Sequence, residues 1–277
     1  MPLLPPFQGK RALDDSNPCP IDRCHYDLCA MNGWPVHTFQ TWEDFQEGQV
    51  LLIDKPLEWT SFDVVNKVRH LIRHGGGFRK IKVGHAGTLD PLATGVLVIC
   101  TGRMTKRINE LTAEDKHYDG HITFGATTDS HDRETEIKPK GDPSTLDKDI
   151  LLKAAAELTG AISQMPPMYS AKKVGGQTAY KAARKGKEIA LQPVDVNVHH
   201  FEMTGWEAPK MGFDIRCSKG TYIRALARDM GEITGNGAYL SALRRTASGD
   251  FPLSSCWSID EFSTRIKALP DPAPKAN

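Results

Sequence analysis

The run Gly84-His85-Ala86-Gly87-Thr88-Leu89-Asp90-Pro91-Leu92-Ala93-Thr94-Gly95 sets one carboxylate, Asp90, in a stiff turn. Gly84, Gly87 and Gly95 permit backbone shapes that other residues resist. Pro91 fixes its own φ and pushes Asp90 toward an extended conformation. An acid held this way can attack an electrophilic carbon or remove a proton. An isolated Asp-Pro more often only shapes a turn. Here the turn runs straight into Val96-Leu97-Val98-Ile99-Cys100, an apolar run that reads as a buried strand. A reacting group on a short loop beside a core strand is well placed for chemistry.

The elements around that turn follow from local pattern. Gln49 to Asp54 predicts a strand. Ser61 is placed to cap a helix from about Phe62 to Arg73, whose apolar face is Val64, Val65, Val68, Leu71 and Ile72. Gly75-Gly76-Gly77 ends it. It lacks the GxxxxGK[ST] pattern of a nucleotide loop, so no such site is expected. Tyr118 to Phe124 predicts a strand, and Thr127 to about Pro143, polar and acidic, an exposed loop. Leu146 to Leu158 has helical spacing. Val194 to Trp206 and Met211 to Ser218 predict an antiparallel pair turning near Pro209. Tyr222 to Ile233 predicts a helix with Ile223, Leu226, Ala227 and Met230 inward. Strands and helices mix without regular alternation, which predicts an α+β fold.

The chain has 277 residues and a net charge of only +1. Its charge is segregated, however. Residues 64–82 carry Lys67, Arg69, Arg73, Arg79, Lys80 and Lys82 with no acid, and 172–187 carry Lys172, Lys173, Lys181, Arg184, Lys185 and Lys187 with no acid. Such runs can be solvated helix faces, or can present a basic face to phosphates in a near-neutral protein. The sequence has no apolar stretch of about eighteen residues and no leader pattern, so a cytoplasmic, membrane-free protein is expected. Six cysteines in such a chain do not suggest a disulfide framework. Cys19, Cys24 and Cys29 with His25 lack the close pairs of zinc sites, so no metal is expected. Cys100 and Cys217 are expected as buried small hydrophobes.

The segment Gly87 to Gly95 resembles the catalytic GxLDPxATG motif of the TruB-type tRNA pseudouridine synthases. Asp54-Lys55-Pro56 with Thr60-Ser61 resembles that family's KPxGxTS motif, with Glu58 where glycine is usual. Lys116-His117-Tyr118 with Gly125 is similar to the motif that supplies the active-site tyrosine. Met165-Pro166-Pro167-Met168-Tyr169-Ser170-Ala171 with Gly176, Tyr180 and Ala183-Arg184-Lys185-Gly186 is similar to the RNA-gripping insertion. Cys217-Ser218-Lys219-Gly220-Thr221-Tyr222-Ile223-Arg224 and Leu243-Arg244-Arg245-Thr246 complete a set in family order across residues 49–251.

The resemblance implies a pseudouridine synthase fold: a central mixed, mostly antiparallel sheet flanked by helices, with a thumb-like RNA-binding insertion at about 163–190. It implies a catalytic domain over 48–258, preceded by a flexible extension at 1–47 and followed by a helix and Pro-rich tail at 259–277. Met31 is a candidate start, and few residues follow Phe251 for the family's PUA module. The implied reaction isomerises the T-loop uridine (position 55) of tRNA after base flipping, with Asp90 as the catalytic carboxylate. Tyr118, Tyr222, Arg224 and Leu243 are implied pocket residues. His85, Lys172, Lys173, Arg184 and Lys185 are implied RNA contacts, and Lys55 and Pro56 support the loop. No cofactor, metal or obligate protein partner is implied, and a monomer is expected. The same basic face would also serve a tRNA-folding chaperone that acts by binding alone. A guide-RNA-directed synthase subunit fits less well.

Overall fold

The computed structural model describes residues 33–170, 172–174, 177–179 and 190–272. Its elements are β1 (Val50–Lys55), α1 (Ser61–Gly75), β2 (Val83–Ala86), β3 (Ala93–Thr101), α2 (Ile108–Ala113), β4 (Lys116–Phe124), α3 (Lys148–Glu157) and β5 (Gly160–Gln164). They continue with β6 (Val194–Glu207), β7 (Lys210–Cys217), α4 (Ile223–Ile233), β8 (Ala238–Ser248), β9 (Phe251–Pro252) and α5 (Ile259–Lys267). Among the described residues these nine strands form one sheet in the order β1-β3-β8-β4-β7-β6-β5, with β2 on β3 and β9 on β8.

The pairings are antiparallel except at one seam, where β8 runs parallel to β3. At that seam Leu243 faces Ala93 and Arg245 faces Gly95, while on the other side of β8 Leu243 faces Gly120 and Arg245 faces Tyr118. Gly95 is required here. Its φ is +103°, and a Cβ would lie 2.2 Å from the Arg245 carbonyl oxygen. β8 is bulged on both sides of Leu243–Arg245, which re-aims its side chains at the middle of the sheet.

Apolar alternation decides the layers. Ile122, Phe124, Met211, Phe213, Ile215, Leu226 and Met230 bury between one sheet face and α3 and α4. Leu51, Ile53, Leu97 and Ile99 bury against α1 and α5 through Val64, Val68, Ile72, Phe262 and Ile266. Cys100 and Cys217 are fully buried. The α1 cap is Thr60 rather than Ser61. Thr60 and Asp63 form a reciprocal capping box, the Asp63 N–H donating to Thr60 Oγ1 at 3.0 Å and the Thr60 N–H to Asp63 Oδ2 at 2.9 Å. Ser61 is thereby released for another bond, described below.

Two further expectations meet differences. Residues 33–47 pack onto the body: Phe39, Trp42 and Phe45 join the α1–α5 core, and Trp34 stacks under the Arg107 guanidinium at 3.9 Å. Residues 1–32, including the Cys19–Cys29 group, lie outside the described residues. The loop after Thr127 is not simply exposed, because Thr128, Ser130 and Asp132 are buried. No helix among the described residues is long and apolar enough to cross a membrane.

Candidate active site

The loop bearing Asp90 is clamped from three directions. Ser61 exchanges two bonds with Leu89, its Oγ donating to the carbonyl at 3.0 Å and accepting from the N–H at 2.8 Å. The Glu58 N–H donates to the Pro91 carbonyl at 2.9 Å. Lys55, fully buried at the end of β1, donates from Nζ to the carbonyls of Pro56, Trp59 and Pro91. An ammonium with three donors meets three acceptors, so it ties two loops together without reaching substrate. Burial pushes the Lys55 amine down to about 8, opposed by Asp90 and Asp54.

Glu58 stands where the family motif has glycine. The left-handed backbone normally served by glycine is retained with a glutamate, φ +67°. The strain is bought by the Pro91 bond and the capped helix that starts at Ser61.

Asp90 meets Arg224 head-on. Nε lies 2.9 Å from Oδ2 and Nη2 donates to Oδ1 at 3.0 Å, a two-point contact. The remaining guanidinium donors reach the carbonyls of Ser130 (3.0 Å) and Tyr169 (2.7 Å), and Nη1 sits 3.6 Å from Asp132 Oδ2. Arg224 is 4% exposed, whereas the Asp90 side chain keeps 37% of its surface open to the cavity it lines. Burial pushes the Asp90 carboxyl up from its ordinary value. Arg224 opposes that shift, and Asp132 adds to it.

Asp132 went unread in the sequence. Its carboxylate accepts from Ser130 Oγ at 2.6 Å and from the Glu134 N–H at 2.8 Å, and Thr128 Oγ1 donates to its carbonyl at 2.6 Å. The alternation Thr128, Ser130, Asp132 is the only local signal, since short polar side chains at every second position favour a self-bonded turn. The loop is held at His131 in a left-handed conformation, φ +62°.

The cavity above Asp90 measures about 260 Å³ and is lined by Tyr118, Tyr222, Arg224, Leu243, Ser170 and Lys219, among others. All four expected pocket residues therefore surround Asp90. Tyr118 is almost fully buried on β4, and burial pushes its phenol up. The Tyr222 phenol is likewise raised by burial. Gln164 fixes the Tyr222 backbone, accepting its N–H at 2.8 Å and donating to its carbonyl at 3.2 Å. Arg245, adjacent to Tyr118, is 1% exposed and donates to the carbonyls of Val96 (2.7 Å) and Gly87 (3.2 Å). The buried Lys116 amine, pushed down to about 8 by burial, donates to the carbonyls of Thr112 and Glu114 at the end of α2.

The expected RNA contacts are more scattered. His85 sits half-buried on β2 opposite Ile99, beside the cavity rather than in it, and burial with Arg245 nearby pushes its imidazole down. Lys172 is at the surface, with Nζ 3.4 Å from the Gln192 carbonyl. Lys173 belongs to a short ladder with Thr178. Arg184 and Lys185 lie outside the described residues.

Comparison with known proteins agrees with this geometry. Residues 76–223 match the profile of the TruB family pseudouridylate synthase N-terminal domain, and 224–270 that of the tRNA pseudouridylate synthase B C-terminal domain. A tRNA pseudouridine synthase B of Phocaeicola vulgatus is 48% identical over 219 residues, covering 79% of this chain and 93% of the relative. That of Chlorobaculum tepidum is 47% identical over 222 residues, covering 80% and 92%. Among solved structures, a chain of a Cbf5-Nop10-Gar1 complex superposes with a TM-score of 0.61 at 27% identity, over 79% of this chain and 54% of that one. This chain thus spans about half the length of that solved protein. A chain of an H/ACA RNP bound to substrate RNA, at 24% identity and a TM-score of 0.58, shares the fold. On the profile match and the near full-length relatives, the chain belongs to the TruB family of pseudouridylate synthases.

Proposed function

We propose that this chain isomerises a tRNA uridine to pseudouridine, the T-loop uridine at position 55, with Asp90 as the reacting carboxylate. The observation that carries the reading is the Asp90–Arg224 pair at the wall of a cavity that also holds Tyr118, Tyr222 and Leu243. The reaction breaks the N1–C1′ bond, turns the uracil, and joins C5 to the same C1′. C5 gives up its proton and N1 takes one up, so no heavy atom enters and nothing is oxidised.

Each residue has a part that its placement supports. A uridine flipped from its loop loses stacking worth a few kcal/mol, and Tyr118 offers a π-face in exchange. Leu243 closes an apolar wall that keeps the cleaved base from leaving. Arg224 aims the Asp90 carboxylate and holds it anionic against the upward push of burial. The carboxylate then either attacks C1′ to form an adduct or removes the C2′ proton to give a glycal. Lys172, Lys173, Arg184 and Lys185 are proposed phosphate contacts, and His85 a contact to the opened loop.

Incubation with unmodified tRNA, followed by pseudouridine mapping, tests this. Wild type is expected to modify the T loop and Asp90→Asn to modify nothing, with tRNA affinity kept. Equal modification by both removes Asp90 from the mechanism. Binding without modification by either protein favours the chaperone reading.

A further inference from the structure

One polar group in the cavity wall keeps an unused bonding capacity. Ser170 is 3% exposed and lines the same cavity as Asp90 and Tyr118. Its Oγ makes no well-aligned hydrogen bond to any described residue. A buried hydroxyl short of a bond costs about 1–3 kcal/mol, and one that faces a cavity can recover that from a ligand. The Tyr222 phenol is nevertheless close enough to act as its hydrogen-bond partner. When the phenol, the more acidic O–H, donates to Oγ, the Ser170 proton is the one left for a ligand.

The backbone is anchored next to this residue. Immediately before Ser170, the Tyr169 carbonyl accepts from Arg224 Nη2 at 2.7 Å, the same guanidinium nitrogen that reaches Asp90. The hydroxyl is therefore held in register with the reacting carboxylate.

We propose that the Ser170 hydroxyl is a base-reading group: it donates a hydrogen bond to O4 of the flipped uracil, and to O2 once the ring has turned. This rests on the isomerase reading above. Uracil is nearly two-fold symmetric about the axis through N3 and C6. Rotation about that axis exchanges N1 with C5 and, with them, O2 with O4. A single stationary donor thus meets a carbonyl oxygen at the start and again at the end of the turn. Between the two it holds nothing, which leaves the detached ring free to rotate.

The test uses synthetic tRNA T stem-loops carrying uridine or 4-thiouridine at the target, since thiocarbonyl sulfur is a weak acceptor. Single-turnover rates are measured for wild type, Ser170→Ala, Ser170→Thr and Ser170→Cys, with stem-loop affinity and thermal melting as controls. Wild type is expected to lose about tenfold on 4-thiouridine, the size of one lost hydrogen bond. Ser170→Ala is expected to be about tenfold slow on uridine and to show no further 4-thio penalty. Ser170→Cys, similar in bulk but a poor donor, behaves the same, and Ser170→Thr restores the discrimination. A purely structural serine would slow both substrates equally and leave their ratio unchanged. That unchanged ratio in Ser170→Ala and Ser170→Cys overturns the proposal, as does a wild-type rate on uridine in either variant. Should wild type convert neither substrate, the isomerase reading fails first.

Discussion

Replacing Asp132 by asparagine should move the acid limb of the pH–rate profile downward. Asp132 shares Arg224 with Asp90, at 3.6 Å against 2.9 and 3.0 Å, and its charge helps push the Asp90 carboxyl up. Two carboxylates on one guanidinium lie roughly 6 Å apart; with an effective dielectric of about 20–40 their repulsion is about 1.4–2.8 kcal/mol, or about one to two pKa units. Asparagine keeps Oδ1 as the acceptor for Ser130 Oγ and the Glu134 N–H, so the loop retains its shape. It also leaves Arg224 with a single anionic partner in this triad, which stabilises the ionised Asp90 further. Both effects have the same sign. Asp90 must be ionised to react, and removing a like charge lowers the pH at which it ionises. Single-turnover tritium release from [5-³H]uridine-labelled tRNA across the acid range reads this directly. The limb should shift down by about one unit, with a reduced plateau because Arg224 is less firmly fixed. A limb that stays in place or moves up would refute the coupling between the two carboxylates.

Other substitutions test the supporting structure. Lys55→Met strips three carbonyls of their donor while relieving the cost of a buried amine; a net loss of about 2–3 kcal/mol, or about 5–10 °C in melting temperature, is expected together with slowed turnover. Glu58→Gly should raise the melting temperature by up to about 3 °C by relaxing a left-handed glutamate, whereas Glu58→Val, branched at Cβ, should lower it. Gly95→Ala would drive a methyl to 2.2 Å from the Arg245 carbonyl. It should destabilise the β3–β8 seam by more than about 3 kcal/mol in chemical denaturation, and near wild-type stability would contradict the seam geometry.

Much of the fold was legible because it rests on local period. The β6–β7 pair, α1, α4 and the buried run through Cys100 all follow from alternation or helical spacing, and they differ from expectation only at their ends. The site was legible as motif: Asp90, Tyr118, Tyr222, Arg224 and Leu243 converge on one cavity from four separate stretches of chain. What escaped was set by tertiary packing. Asp132 lies in a polar stretch whose composition says solvent, and it is buried because Arg224 needs anions on more than one side. Arg245 reads only as part of a motif, yet it is buried, with two of its nitrogens donating to the Val96 and Gly87 carbonyls. Thr60 and Ser61 are equally good caps by type; the Leu89 backbone claims the second and leaves the first to the helix. The aromatic content of 33–47 was outweighed by nearby prolines, although Trp42 even reaches the Pro270 carbonyl at 2.9 Å.

The parallel seam also dictates an order of events during translation. The acid emerges from the ribosome early, its guanidinium partner 134 positions later, and the strand that walls the pocket later still. Until β8 inserts between β3 and β4, the two halves of the sheet have no shared edge, and Tyr118 faces no opposing wall. A nascent chain released before β8 could hold well-formed helices and hairpins and still own no place for a nucleoside. Competence in this protein arrives with one of its last strands, all at once.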